Sequence, residues 1–169
     1  MERLTERLSS GFGARDADLV RSDLAFVTVD PERVAGCLAW LRDEAGYSHL
    51  VVISVVDRIE RGVFQMTYIL HSYSEHSDIG VRAEIPREGA TMESVHRLWA
   101  GAQVYQREIR EMFGIDFPGS PDVDVPMILE GWHDMPPMRR DFDTKEYSEK
   151  TYFPRERGGS IDPAAHMAS

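Results

Sequence analysis

Apolar and polar positions follow one another along the chain in two periods, one of strands and one of helices. Leu24 to Val29 is rich in β-branched and aromatic residues and reads as a first strand. Asp30-Pro31 follows as an N-cap with proline at the first helical position. Val34, Leu38 and Leu41, with Cys37 and Trp40 alongside, then form the inner stripe of a helix that Gly46 closes. His49 to Asp57 is a nearly unbroken aliphatic run, the pattern of a central strand covered on one or both faces. Val63 to Ser72 pairs with it most simply as an antiparallel hairpin across a turn that contains Gly62. Ile79 to Ile85 is a third neighbour that alternates Ile79, Val81, Ala83 and Ile85 against Gly80, Arg82 and Glu84, so half of it is expected to face water. Pro86 and Gly89 end the strand region, and Thr91 is expected to cap a helix that buries Val95, Leu98 and Trp99. This order predicts an α+β fold: a mixed, largely antiparallel sheet with helices packed on it.

The most informative stretch is Ala102 to Gly119, a short helical pattern that runs into a glycine stop and a proline-marked exit. With Tyr105 as reference, Ile109, Met112 and Phe113 share one stripe, and Arg107 and Arg110 face away from it. Glu108 stands at the stripe's edge and is expected to be half-buried and in need of a donor, whereas Arg107 and Glu111 are spaced as a solvated pair. Gly114 occupies the position where a helix C-terminus favours a left-handed residue.

Composition changes beyond Phe117. Seven of the nine prolines (Pro118, Pro121, Pro126, Pro136, Pro137, Pro154 and Pro163) follow it, which rules out long helices and central strands there. The same stretch carries Ile128, Leu129, Trp132, Met135, Met138, Phe142, Tyr147, Tyr152 and Phe153, too much apolar surface for a solvated tail. The expected division is therefore an α+β domain over residues 1–117 and an extended arm over 118–169 that wraps a partner and gains its order there.

At 169 residues with a 42% hydrophobic share, the chain is long enough for a real core. Its net charge of −10 argues against nucleic acid and anionic membranes as partners. The longest apolar run, Leu50 to Val56, is too short to span a bilayer, and Met1 to Gly13 is too charged for a signal peptide, so a soluble, unexported protein is expected. A single cysteine, Cys37, cannot supply a thiolate-held iron–sulfur cluster or a disulfide, and Gly11-x-Gly13 lacks the third glycine of a phosphate loop. No cofactor is expected on this chain. His71, Glu75 and His76 are the only local group with metal-ligand side chains, but their spacing does not put both imidazoles on one strand face. A small metal-dependent enzyme built on these three is the alternative from a different class.

The order helix, Met-Phe-Gly, Gly-x-Pro-Asp, aliphatic run, Trp, Pro and Arg-Arg-Asp-Phe, between Gln106 and Phe142, resembles the signature of the 30-kDa subunit family of respiratory complex I, the NADH:quinone oxidoreductase. The matching residues are Arg107, Glu108, Glu111, Met112, Phe113, Gly114, Ile115, Gly119, Pro121, Asp122, Trp132, Arg139, Arg140, Asp141 and Phe142. Gln106 stands where Glu is usual, Ser120 where His is usual, and Asp124-Val125-Pro126 where a basic pair usually precedes the aliphatic run. In these departures the chain resembles the related ferredoxin-, hydrogenase- or F420-linked membrane complexes at least as much as an NADH-linked one.

The resemblance implies a structural subunit without catalytic residues of its own. It implies docking on the 49-kDa-type, hydrogenase-large-like subunit beside the iron–sulfur subunits of a peripheral arm, at the cytoplasmic face of the cell membrane. The assembly would move electrons from NADH, ferredoxin, F420H2 or formate to a quinone or to protons and couple this to ion pumping, with all iron–sulfur clusters on partners. Arg107, Glu108, Trp132, Arg139, Arg140, Asp141 and Phe142 are the residues it assigns to the subunit interface.

Overall fold

A computed structural model describes residues 1–152. Phe153, Pro154 and Pro163 lie outside the described residues, as does the end of the expected arm. Two helices, α1 (Glu2–Phe12) and α2 (Pro31–Asp43), flank the hairpin β1 (Arg15–Arg21) and β2 (Leu24–Thr28). Strands β3 (His49–Arg58), β4 (Val63–Ser72) and β5 (Ser77–Pro86) follow, then α3 (Ala102–Phe113) and α4 (Thr144–Tyr152). The five strands form one sheet in the order β1-β2-β5-β4-β3, antiparallel except for the parallel β2–β5 pair. The α+β expectation with a mixed, largely antiparallel sheet holds.

Strand periodicity decides which sheet face becomes core. On β4, Phe64, Met66, Tyr68, Leu70 and Ser72 are all buried, and the residues between them are only partly so. Cross-strand neighbours on the same face are Asp57 and Ile53 on β3, and Ile79, Val81, Ala83 and Ile85 on β5. This face meets α2, whose Val34, Cys37, Leu38 and Leu41 are buried, and α3. Burial pushes the Cys37 thiol up to about 12, which leaves it a packing residue rather than a nucleophile.

Four expectations are corrected. The aliphatic run His49–Arg58 is an edge strand, not a central one. Its apolar content serves two faces, and its free edge is shielded where Tyr105 Oη donates to the Val51 carbonyl (3.0 Å) and Trp99 Nε1 to the Ser48 carbonyl (2.7 Å). The outer side of β5 does not face water freely, because Gly80 is buried under the Phe26 ring and Arg82 stacks on that ring at 4.1 Å. No helix starts at Thr91. That residue instead makes a parallel bridge to Asp116, and the bonds Met92 N–H to Asp116 carbonyl and Asp116 N–H to Ala90 carbonyl (both 2.9 Å) draw the stretch into an irregular course. Strand β1 has no counterpart among the expected elements, since every one of its residues is exposed.

Candidate functional site

Helix α3 ends as its sequence dictates, with Gly114 in the left-handed region (φ 74°) and its N–H bonded to the Arg110 carbonyl at 3.0 Å. Gly114 is needed for a second reason: a Cβ there would sit 3.1 Å from Cγ of Pro136, where the chain returns across the helix end. Beside this crossing, Met138 N–H donates to the Met112 carbonyl at 3.0 Å, occupying one of the helix's terminal acceptors. Residues 118–143 are mostly turns, and they run back along α3 and the end of the sheet.

The buried face of α3 is rotated from the expected stripe. Ala102, Gln106 and Ile109 are buried, whereas Tyr105, Met112 and Phe113 are only partly so. Glu108 is exposed rather than half-buried. The enclosed polar group is Gln106, whose Oε1 accepts Ser94 Oγ at 2.7 Å and Ser120 Oγ at 2.8 Å. Its Nε2 has no hydrogen-bond partner.

Arg107 and Glu111 do not pair with each other in solvent. Nε and Nη2 of Arg107 donate to the carbonyls of Val125 (2.6 Å) and Pro126 (2.5 Å). One turn on, the Glu111 carboxylate accepts the N–H groups of Met127 (2.9 Å), Ile128 (3.1 Å) and Leu129 (2.9 Å). Desolvation pushes the Glu111 carboxyl up, but the three backbone donors and the Arg107 charge outweigh it and hold the carboxyl below the usual glutamate range.

A second attachment holds the arm at Arg140 and Asp141. Asp57, at the close of β3, is buried at 5% exposure and accepts Arg140 N–H at 2.9 Å and Arg87 Nη2 at 3.1 Å. Arg87 Nε approaches its other carboxylate oxygen to 2.8 Å out of hydrogen-bonding alignment, so that contact is ionic only. Arg87 also binds Asp141 at 2.7 Å. Partial burial disfavours the Asp141 charge, yet the bond to Arg87 and the charges of Arg87 and Arg139 win and lower its carboxyl. Arg139 and Arg87 both lie over the ring of buried Phe64, at 5.5 and 5.6 Å from its centroid, and the Arg140 guanidinium reaches Glu60 at 2.5 Å. Trp132, Phe142 and Tyr147 form a cluster with ring centroids 4.7 to 5.6 Å apart.

Of the interface residues read from the sequence, Arg107, Arg139, Arg140 and Asp141 are thus engaged within the chain, Trp132 and Phe142 pack together, and Glu108 stands apart. Sequence reasoning misses Asp57 and Arg87. Asp57 does carry a signal, as the one acid that closes an otherwise aliphatic run. His71, Glu75 and His76 are not brought together: His71 Nδ1 binds Asp78 at 2.8 Å, while Glu75 and His76 occupy the β4–β5 turn. Among the described residues, no group of three or more His, Cys, Asp or Glu could hold a metal ion. No helix among them is long and apolar enough to cross a membrane.

Residues 27–148 match the family described as respiratory-chain NADH dehydrogenase, 30 Kd subunit. The chain is similar to the corresponding NADH-quinone oxidoreductase subunit of Rhodobacter capsulatus, 36% identical over 141 residues that cover 80% of this chain and 68% of that one. It is also similar to that of Cereibacter sphaeroides, 31% identical over 160 residues covering 90% and 79%. Among solved structures, the trypsin-resistant fragment (1-134) of Nqo5 superposes with a TM-score of 0.63 at 26% identity, covering 72% of this chain and 97% of the fragment. A chain of the membrane-bound sulfane sulfur reductase, an archaeal respiratory membrane complex, shares the fold with a TM-score of 0.81 at 23% identity over 92% of each chain.

Proposed function

The chain belongs to the family of the 30 kDa subunit of respiratory-chain NADH dehydrogenase, and on that premise we propose that it is a structural, non-catalytic subunit of the peripheral part of a complex-I-like, ion-translocating oxidoreductase. The arm docks on the 49-kDa-type subunit and keeps the iron–sulfur subunits in place at the cytoplasmic face of the membrane. The clusters belong to those partners. Electron transfer between clusters falls steeply with distance, so a rigid brace affects the rate without touching a reacting atom.

One observation carries the reading. Between Val125 and Met138 the arm holds Val125, Met127, Ile128, Met135 and Met138 at 39–72% exposure, beside the cluster of Trp132 and Phe142. Monomeric surfaces rarely gather so many large apolar side chains in one short stretch, whereas interfaces do. The equivalent subunit of an energy-converting hydrogenase or of a ferredoxin- or F420-linked complex is the second reading, favoured by the neutral pair Gln106 and Ser120 where the family usually carries Glu and His.

The test is purification of the tagged chain from its native membranes in mild detergent, followed by mass spectrometry. Recovery of a hydrogenase-large-like subunit together with cysteine-rich iron–sulfur subunits supports the reading, and their identity separates the NADH-linked branch from the others. Recovery of the chain without them contradicts it.

A further inference from the structure

Irregular backbone leaves N–H and C=O groups that need partners, and side-chain groups satisfy them only where the fold holds donors and acceptors in position. Arg107 and Glu111 do this for five consecutive residues, Val125 to Leu129, by gripping main-chain atoms alone. A grip on the main chain leaves the side chains free to point elsewhere. Val125, Met127 and Ile128 are accordingly 50%, 41% and 72% exposed. The return over Gly114 and the Met138–Met112 bond bring Met135 and Met138 back beside α3. Exposed acids flank and punctuate the same stretch, namely Asp122, Glu130 and Asp134, with Asp124 already paired to Arg110 at 3.2 Å, and no Lys or Arg occurs between Glu111 and Met138.

We propose that α3 is a main-chain clamp that shapes residues 125–138 into an apolar platform with a carboxylate rim before any partner is bound. Its occupant is an apolar patch ringed by Lys or Arg on a neighbouring subunit. The occupant rests on the docking reading of the arm, whereas the clamp does not. Charge complementarity selects it: an anionic lipid surface would be repelled by the rim, and a second copy of a chain with a net charge of −10 would be too. The platform is made ready by Arg107 and Glu111 rather than by the partner, which lowers the ordering cost at assembly.

Hydrogen exchange by NMR on the full chain alone tests the clamp. The amides of Met127, Ile128 and Leu129 should be protected, and Glu111→Gln, which keeps the shape but removes the charge, should speed their exchange by about tenfold or more, as expected for loss of bonds to a charged acceptor. Unprotected amides in the wild type, or protection unchanged in the variant, would overturn it. The occupant is tested separately with a photo-crosslinking side chain at Ile128 in the purified complex. A captured subunit peptide with Lys or Arg among apolar residues supports it, and capture of lipid, of a second copy or of an acidic peptide overturns it. If the chain enters no complex at all, the docking reading fails while the exchange result stands.

Discussion

Ser120 Oγ donates to Oε1 of Gln106 at 2.8 Å inside the core, joining α3 to the start of the arm. Ser94 Oγ reaches the same oxygen at 2.7 Å and lies 2.9 Å from His96 Nδ1. A neutral amide and two hydroxyls thus meet where Gln106 of α3 is buried, with Ser120 buried and Ser94 partly so. A neutral set avoids the desolvation that a lone buried carboxylate would suffer.

Gln106→Glu should destabilise the chain by about 2–4 kcal/mol near neutral pH, because burial raises the new carboxyl's pKa. A raised folded pKa costs stability as pH rises above the unfolded value, so the loss should be larger at about pH 8 than at about pH 5. Adding Ser120→His should recover part of it by supplying a donor. Urea midpoints of the wild type, the two single variants and the double variant at both pH values measure this, and strictly additive effects of the two substitutions would refute the coupling.

Gly80 lies under Phe26, and a Cβ there would fall 2.1 Å from the ring. Gly80→Ala must displace the ring and break its stacking with Arg82, at a cost of about 1–3 kcal/mol. A calorimetric melting temperature several degrees lower is the expected result.

The carboxyls of Glu111 and Asp141 are both depressed by their partners in the fold. Stabilisation of this kind is complete above the usual carboxylate range and is lost as pH falls through the folded values. Acid should therefore release the arm. In a Trp40→Phe, Trp99→Phe background, Trp132 fluorescence should change only once the pH falls below the usual carboxylate range, about pH 4. Glu111→Gln should already show part of the acid-state signal at neutral pH.

The chain purified alone should carry no iron, flavin or nicotinamide, since it has one cysteine and no complete glycine-rich phosphate loop. A visible absorbance band from a stoichiometric flavin or cluster in single-chain material would refute this.

The elements legible in the sequence are those whose signal is local. The β3–β4 hairpin is readable because Gly62 takes the left-handed φ of 66° that its turn requires, and α3 because its pattern ends at Gly114. Strand β1 is not, since an exposed ribbon written Arg-Asp-Ala-Asp-Leu-Val-Arg is held by backbone pairing to β2 and needs no apolar face. The stretch after Thr91 has helical spacing, but the backbone at its start is claimed by Asp116, a long-range pairing that no window of residues reveals, and only turns follow before α3. In the site, the signature residues are readable and their partners are not. Arg87 stands 30 positions from Asp57 and 54 from Asp141, and the three meet only because the arm passes the end of β3 at Asp141.

The central claim, that this chain braces a complex without taking part in its chemistry, is tested most directly by Arg139→Ala with Arg140→Ala. Through its side chains the pair fastens the arm to Phe64 and Glu60, and Arg139 also lies 3.7 Å from Asp141. Its loss should loosen the docking surface at a cost of about 2–5 kcal/mol if these contacts are buried in the assembly. The measurement is the amount of intact complex set against the turnover of each complex that forms. The account predicts several-fold less complex with a near-normal rate per complex. Full assembly with lost turnover would place these arginines at substrate or a redox centre and contradict it.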